Sequence, residues 1–216
     1  MSENSSLNEF VTFTQSLKGD EKGEAQIFCD RLFQAFGHKG INEAGGTLEA
    51  RIKFSSGKTK FADCLWSPVG SEGVLIEMKK RSVKNLKAHF PQARDYWMEM
   101  NPEEVIGKGA QKPTYVILCN FDRFLIYKQL SLVDDISIDD IEDRSSAFNF
   151  LLPNSKEPIF KHNVEAISKS AAKTVGELFK YLFLSNMIRY FRESFSGGNT
   201  NRNGYSRPLV NGLPYF

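Results

Sequence analysis

The chain has 216 residues, of which 41% are hydrophobic and 25% charged, and its formal net charge is +2. These values are typical of a soluble protein with one full domain and an appendage, and the overall charge does not by itself indicate a nucleic-acid-binding protein. No apolar run approaches the roughly 20 residues that span a bilayer, and the polar N-terminus does not resemble a secretory signal. Three dispersed cysteines exclude a disulfide framework and a Cys-x-x-Cys site, and the spacing of the three histidines disfavours a structural zinc. We therefore expect a protein of the reducing cytoplasm with no membrane association.

Two helices and three strands are predicted in the first 80 residues. The helices are expected near Leu7–Leu17 and over Glu21–Phe36. The second helix has an apolar side at helical spacing, formed by Ile27, Phe28, Leu32, Phe33 and Phe36. The strands are expected over Thr47–Phe54, Thr59–Trp66 and Gly73–Lys80, with turn-forming sequences between them.

The next 50 residues predict a helix over Pro91–Met100 and two strands, Thr114–Asn120 and Phe124–Lys128. The first of these strands is almost continuously apolar, so we expect it at the centre of a sheet. This order of elements predicts an α/β (α+β) domain over residues 1–150, with a central mixed sheet flanked by helices.

The remaining chain changes in character. Residues 134–143 contain six acidic side chains and predict a solvated loop or a sheet edge. Helical spacing returns over Asn163–Phe191, so we expect a helical spacer over residues 151–192. Residues 193–216 are rich in Gly, Asn, Ser and Pro, which predicts a flexible tail or a truncated linker. The charge changes as well, from a net −3 over residues 1–149 to a net +5 over residues 150–216.

Asp63, Glu77 and Lys79 form the most informative pattern in the sequence. Glu77 and Lys79 are two apart in a predicted strand and project from one face, while Ile76 and Met78 point into a core. An antiparallel hairpin with the preceding strand would bring Asp63 beside Glu77. Two carboxylates and an ammonium group favour a Mg²⁺ site, in which the lysine supports the attacking water or the developing negative charge. The alternative is a pair of surface charges on an edge strand, but the apolar run before them favours burial.

Neighbouring residues are candidates for the same site. Gln92 and Tyr96 share one helical face, so the amide can orient a water or phosphate and the phenol can hydrogen-bond a nucleic-acid backbone. Glu24 is interpreted as a further acid that reaches the metal or its waters, or else as a first-turn residue favoured by the helix dipole. Glu49 and Arg51 alternate along the first strand and are expected to form a structural pair.

Five cations lie within nine residues at the end of the strand that carries Glu77. Such a run is either a solvated face or a track for a phosphate backbone. We predict nucleic-acid contacts at four of its members, Lys80, Arg81, Lys84 and Lys87. The sequence contains no Walker loop, no Gly-x-Gly-x-x-Gly after a strand and no Gly-x-Ser-x-Gly elbow, so other common catalytic motifs are absent.

The order of helix, strand, strand with Asp63, strand with Glu77-x-Lys79, and helix resembles the PD-(D/E)XK nuclease superfamily. Gln92 and Tyr96 are similar to the QxxxY element of its RecB-like branch. The sequence resembles still more closely the N-terminal nuclease region of MmeI-like type IIL restriction–modification enzymes, over residues 8–130 and more weakly to about residue 190. The stretches that carry this resemblance are Gly19–Phe33, Glu43–Glu49, Phe61–Asp63, Ile76–Lys79, Phe90–Trp97 and Tyr115–Phe121.

The resemblance implies a restriction-endonuclease-like fold and a Mg²⁺-dependent DNA endonuclease, with Mn²⁺ as a substitute and Asp63, Glu77 and Lys79 as the cleaving residues. In such enzymes the nuclease, helical spacer, adenine methyltransferase and target-recognition parts follow in one chain. Double-stranded DNA is therefore the implied substrate. A methyltransferase or target-recognition chain or domain is the implied partner, and S-adenosylmethionine would bind only there. Cutting both strands also implies a dimer on DNA. The alternatives are a non-catalytic DNA-binding or protein-docking remnant of the fold, and a nuclease that acts on RNA or on DNA ends rather than internally.

Overall fold

The computed structural model describes residues 3–68, 70 and 72–196. The chain divides into two compact units, residues 1–166 and 167–216. The tail predicted over residues 193–216 lies outside the described residues from position 197 onward. Among the described helices, none is long and apolar enough to cross a membrane.

The first unit contains a six-stranded sheet whose strands lie in chain order. The strands are β1 Thr47–Lys53, β2 Thr59–Trp66, β3 Val74–Met78, β4 Tyr115–Cys119, β5 Arg123–Lys128 and β6 Ser131–Ser137. All neighbouring strands are antiparallel except β3 and β4, which are parallel. A mixed sheet with β4 in its interior confirms the prediction of a mixed α/β domain.

The described helices are α1 Glu3–Ser16, α2 Glu21–Ala35, α3 Phe90–Glu99, α4 Pro102–Val105 and α5 Lys161–Ser196, with 3₁₀ helices at Leu86–His89, Ile138–Asp140 and Ser145–Leu151. Helices of the first unit pack on both faces of its sheet. Helices α1 and α2 pack in a first hydrophobic cluster with Ile76, whereas α3 packs in a second cluster with Leu75. Because Leu75 and Ile76 are adjacent in β3, the two clusters lie on opposite faces of the sheet.

The apolar side predicted for α2 is correct except at one position. Phe28, Leu32 and Phe33 are fully buried, but Ile27 is 45% exposed. Ile27 precedes Phe28 by one residue, which turns it about 100° around the helix and away from the sheet.

The parallel pairing of β3 and β4 determines where α3 lies. A parallel pair requires a crossover connection, which the 3₁₀ helix Leu86–His89, α3 and α4 provide. The crossover places α3 against the second face of β3 and β4. The side chains of α3 therefore reach the end of β3, where the candidate site lies.

The β1–β2 hairpin turns as it leaves the sheet. Cys64 belongs to the first cluster but Ala62, two residues away on the same strand face, belongs to the second. On β1, Leu48 packs on the first cluster and Ala50 in the second. Glu49 lies between them with φ +48°, a left-handed conformation that is uncommon for a residue other than glycine. The outer half of the hairpin therefore packs on α3 instead of α2.

The acidic segment 134–143 forms the predicted sheet edge. Its first half belongs to the edge strand β6 and its middle to the 3₁₀ helix Ile138–Asp140. Asp134 is buried, and its carboxylate accepts hydrogen bonds from Arg144 at 2.6 Å and from the backbone N–H of Lys161 at 3.0 Å.

The second unit begins within α5. Because α5 extends over Lys161–Ser196, the prediction that residues 163–191 are helical is confirmed. Large apolar side chains are exposed along this helix, namely Val175, Leu178, Phe179, Tyr181, Leu182, Phe183, Leu184, Met187, Ile188, Tyr190 and Phe191. The division into a nuclease domain, a spacer and a tail stays a prediction.

Candidate active site

Asp63 and Glu77 meet between β2 and β3, which form the predicted antiparallel hairpin. Cys64 pairs with Ile76, so the same register places Asp63 opposite Glu77. The backbone N–H of Met78 donates a hydrogen bond to Asp63 Oδ2 at 2.7 Å. Ile76 and Met78 point into the first hydrophobic cluster, as predicted.

The Lys79 ammonium group is buried and has three acceptors. Its Nζ atom lies 2.8 Å from Glu77 Oε1, 2.8 Å from the Met78 carbonyl oxygen and 3.2 Å from Glu21 Oε1. Burial lowers the pKa of Lys79, but the charges of Glu77 and Glu21 raise it by more, so its pKa lies above the ordinary value. Lys79 therefore carries a positive charge that two carboxylates hold in place.

Glu77 is 2% exposed and has one satisfied oxygen and one unsatisfied oxygen. Oε1 accepts hydrogen bonds from Lys79 and, at 2.6 Å, from Gln92 Nε2. Oε2 is buried and has no hydrogen-bond partner among the described residues. A buried carboxylate oxygen without a donor is unfavourable, and a bound cation would satisfy it.

The carboxyl groups of Asp63 and Glu77 both have raised pKa values. Burial raises the pKa of Asp63 to about 6, against the hydrogen bond from Met78. Burial, followed by the charge of Asp63, raises the pKa of Glu77 to about 7. A divalent cation favours the ionised form of both groups, so its binding would release protons from them.

Gln92 and Tyr96 meet this group from α3. The Gln92 amide donates to Glu77 Oε1 and also, at 2.9 Å, to the Tyr96 hydroxyl oxygen. Tyr96 is only 4% exposed, and burial raises its pKa. The hydroxyl of Tyr96 therefore positions Gln92, and it is too buried for the predicted contact with a nucleic-acid backbone.

The acid that α2 contributes to this group is Glu21, not the predicted Glu24. The Glu24 carboxylate accepts hydrogen bonds from the backbone N–H groups of Lys18, Gly19 and Asp20, at 3.1, 2.6 and 2.9 Å. These bonds lower the pKa of Glu24 and fix the chain that enters α2. The first-turn alternative for Glu24 is therefore the one that agrees with the structure.

Glu49 and Arg51 do not form the expected pair. Glu49 Oε1 accepts a hydrogen bond at 2.9 Å from Gln26 on α2. The left-handed backbone at Glu49 turns β1 at this residue, so the alternation assumed for residues 49 and 51 does not hold. The charge of Glu49 contributes to the raised pKa of Asp63.

The basic stretch separates into a structural arginine and exposed lysines. Arg81 donates to the carbonyl oxygens of Thr14 and Leu17 and, at 2.8 Å, to Asp122 Oδ1. The prediction of a nucleic-acid contact at Arg81 is therefore corrected, because its guanidinium group is already used to join three segments.

Lys80, Lys84 and Lys87 are exposed, and within the described part of the chain none of them forms an ion pair. Lys84 and Lys87 line a groove of about 860 Å³ that also contains Asp134 and Asp135 of β6. The groove is therefore lined by both cations and acidic groups.

Residues 3–68, 70 and 72–196 contain no group of three or more His, Cys, Asp or Glu side chains that could hold a metal ion. A two-carboxylate site is nevertheless compatible with Mg²⁺, which keeps several waters and is often held by one or two carboxylates and a substrate phosphate. Asp63 and Glu77 fit this description, because Glu77 Oε2 lacks a donor and both groups are desolvated.

Comparison with known protein families gives a match that covers most of the chain. Residues 5–183 match the model of the family described as "MmeI, N-terminal domain". Neither the search of curated proteins nor the search of solved structures gives a match. The matched family indicates a module of a restriction–modification enzyme. The chain belongs to the MmeI N-terminal domain family.

Proposed function

We propose that the chain is a Mg²⁺-dependent DNA endonuclease module with a PD-(D/E)XK fold. The observation that carries this proposal is the buried group of Asp63, Glu77 and Lys79, in which Glu77 Oε2 has no donor. A carboxylate pair beside a held ammonium group is suited to phosphodiester hydrolysis. Membership of a restriction–modification family supports DNA as the substrate.

Asp63 and Glu77 would hold the Mg²⁺ or Mn²⁺ ion. When bound there, the ion supplies a water of lowered pKa and neutralises charge on the phosphate. Gln92 assists by binding the other oxygen of Glu77, which leaves Oε2 available.

Lys79 provides the positive charge that opposes the charge developing on the phosphate. Its ammonium group is fixed by Glu77 and Glu21, so little reorganisation is required during the reaction. Burial excludes water around this group and strengthens each electrostatic interaction in it. Glu21 acts through Lys79 and is therefore a positioning residue.

The exposed lysines would bind the DNA on the path to this site. Lys80, Lys84 and Lys87 can contact backbone phosphates, which orient a duplex without reading its sequence. Sequence recognition and S-adenosylmethionine binding would belong to a methyltransferase or target-recognition part. Cutting both strands would require a second copy of the active site on the same DNA.

Cleavage of supercoiled plasmid DNA tests this proposal. With Mg²⁺ or Mn²⁺, we expect the wild-type chain to nick the plasmid. Addition of EDTA should abolish nicking, and so should each of the substitutions Asp63→Asn and Lys79→Ala. The control variant Lys156→Ala, in which an exposed lysine is replaced, should cleave the plasmid as wild type does. Metal-independent nicking, or nicking that survives Lys79→Ala, would contradict the proposal, and a wild type that binds DNA without cutting it would favour a non-catalytic module.

A further inference from the structure

We propose that the β1–β2 hairpin is a DNA-binding ribbon that contacts the duplex next to the cleaved phosphate. In this arrangement Arg51 and Lys58 bind backbone phosphates, and Phe61 packs against the sugars or bases between them. The inference rests on the proposed nuclease function, because it assigns the hairpin to the same DNA substrate.

The hairpin is strongly basic, although the unit that contains it is not. Residues 51–60 include four cations and no acidic side chain, whereas residues 1–149 have a net charge of −3. The four cations are Arg51, Lys53, Lys58 and Lys60. Lys53 pairs with Glu104 at 3.7 Å, and within the described residues the other three form no ion pair. A local cation excess of this kind favours a polyanion as the partner.

The two sides of the hairpin differ in their surroundings. Ala50 and Ala62 pair across the strands and are fully buried in the second hydrophobic cluster. The next pair, Arg51 and Phe61, lies on the opposite side, where Arg51 is exposed and Phe61 is 55% exposed. One side is thus anchored to the domain, and the other presents an arginine beside an aromatic ring.

This exposed pair lies close to the candidate active site along the chain. Asp63 is half-buried, and Phe61, two residues before it in β2, is exposed where the hairpin turns as it leaves the sheet. Two residues of a strand advance by roughly 7 Å, which is about two base-pair steps of 3.4 Å. A duplex whose phosphate lies at Asp63 would therefore contact the hairpin at Phe61.

The two exposed groups have the chemistry of a nucleic-acid contact. Within the described residues no hydrogen bond or ion pair occupies the Arg51 guanidinium, and neighbouring Glu49 is bound to Gln26. Arginine binds phosphate with two parallel hydrogen bonds, and exposed aromatic rings stack on bases or enter between them. A DNA groove also admits a two-stranded ribbon.

Binding of the 216-residue chain to a short fluorescein-labelled duplex, measured by anisotropy in EDTA, tests the inference without cleavage. We expect Arg51→Gln with Lys58→Gln to weaken binding about tenfold and to reduce the salt dependence by about two phosphate contacts. We expect Phe61→Ala to weaken binding about fivefold or more with the salt dependence unchanged, because stacking is not an ionic contact.

The control variants carry matched changes elsewhere on the surface. Arg31→Gln with Lys39→Gln removes the same charge from the end of α2, and Met98→Ala removes a side chain that is 58% exposed on α3. Both should bind within twofold of wild type. Each variant should also retain the wild-type unfolding midpoint, because the replaced side chains are exposed.

The outcomes separate this inference from the nuclease proposal. The ribbon would be overturned if its variants bind DNA as tightly as the controls do while Lys84→Gln binds weakly. That result would leave the nuclease proposal intact. Ribbon-dependent binding by a chain that never cuts with Mg²⁺ or Mn²⁺ would support the ribbon and contradict the nuclease. A wild type that binds no duplex DNA, or binds the corresponding RNA duplex more tightly, would overturn the ribbon as a DNA contact.

Discussion

Three carboxylates, those of Asp63, Glu77 and Glu21, lie around the single ammonium group of Lys79. Burial raises the pKa of both Asp63 and Glu77, and the charge of Glu21 raises both further. The three carboxylates, when ionised, carry more negative charge than one lysine neutralises, and burial removes the water that would screen them. Without a cation, the ionised site is therefore expected to reduce the stability of the fold.

The substitution Asp63→Asn should accordingly stabilise the metal-free chain at about pH 8, on the order of 1–3 kcal/mol. The pKa of Asp63 in the folded chain is about 6, above the ordinary value of 3.8, so the folded state binds this proton more tightly than the unfolded state. That contribution to stability is complete below about pH 4 and is lost as the pH rises through 6. Asparagine keeps an acceptor for the Met78 N–H.

Urea denaturation in EDTA at both pH values measures this effect. Asp63→Asn should have a larger free energy of unfolding than wild type at about pH 8, and this difference should be absent near pH 4. An asparagine variant that is no more stable than wild type at about pH 8 would contradict the expected cost of the ionised carboxylate.

Glu21 and Glu24 should respond in opposite ways to the same substitution. Glu21→Gln weakens the hold on the Lys79 ammonium, so we expect the metal-dependent cleavage rate to fall about tenfold while DNA affinity in EDTA is unchanged. Glu24→Gln should lower the unfolding midpoint near pH 7, because it removes the charge from the acceptor of three backbone N–H groups.

Cleavage kinetics and thermal unfolding of the two variants separate the roles. The pKa of Glu24 is lowered, so the stability lost in Glu24→Gln should diminish as the pH falls through that pKa and wild type becomes protonated. Equal cleavage rates for wild type and Glu21→Gln would remove Glu21 from the site.

At the scale of secondary-structure elements, Arg81 joins the end of α1, the segment after β3 and the start of β5. Its side chain contacts carbonyl oxygens of Thr14 and Leu17 and the carboxylate of Asp122. Gly19 packs against it so closely that a Cβ atom at this position would collide with the Arg81 Cβ, and the φ of Gly19 is +78°. Glu21 follows this junction directly, so the junction sets where α2 begins.

We therefore expect Arg81→Ala to lower the free energy of unfolding by about 1–3 kcal/mol, since it removes the guanidinium donors to the partly buried carbonyl oxygens of Thr14 and Leu17. Lys84→Ala, which removes an exposed lysine from the same stretch, should change it by less than about 0.5 kcal/mol. Urea denaturation of the two variants gives the comparison. A loss of DNA affinity without loss of stability in Arg81→Ala would restore its interpretation as a phosphate contact.

Periodicity and turn residues predict most of these elements. β2 has the predicted bounds Thr59–Trp66, and α2 and α3 begin and end within one residue of prediction. The sequence pattern could not distinguish the strand β6 from a loop, because its acidic residues interrupt the apolar pattern. The burial of Asp134 also depends on Arg144, which lies ten residues away in the chain. Such tertiary partners are not visible in a local pattern.

The site could be predicted to the extent that strand geometry determines it. Alternation along β3 and a short turn bring Asp63, Glu77 and Lys79 together. Glu21 and Glu24 are three apart on one helical side, so spacing cannot distinguish them. The choice depends on the chain around Gly19, whose left-handed backbone presents N–H groups to Glu24.

At the scale of the whole molecule, the fold brings three separate segments to one end of β3. The β2–β3 hairpin supplies Asp63 and Glu77, the start of α2 supplies Glu21, and the crossover to β4 supplies Gln92. Because these residues lie far apart in the chain, the site exists only in the folded domain. This shared point is the divalent-cation site that we propose.

A calorimetric titration of the 216-residue chain with Mn²⁺ shows whether this site binds a divalent cation. Wild type and Glu24→Gln should each bind Mn²⁺ with the same stoichiometry, and Glu77→Gln should show no binding, since it removes the carboxylate whose Oε2 lacks a donor. Retention of wild-type Mn²⁺ binding by Glu77→Gln, or the absence of binding in wild type, would contradict the account.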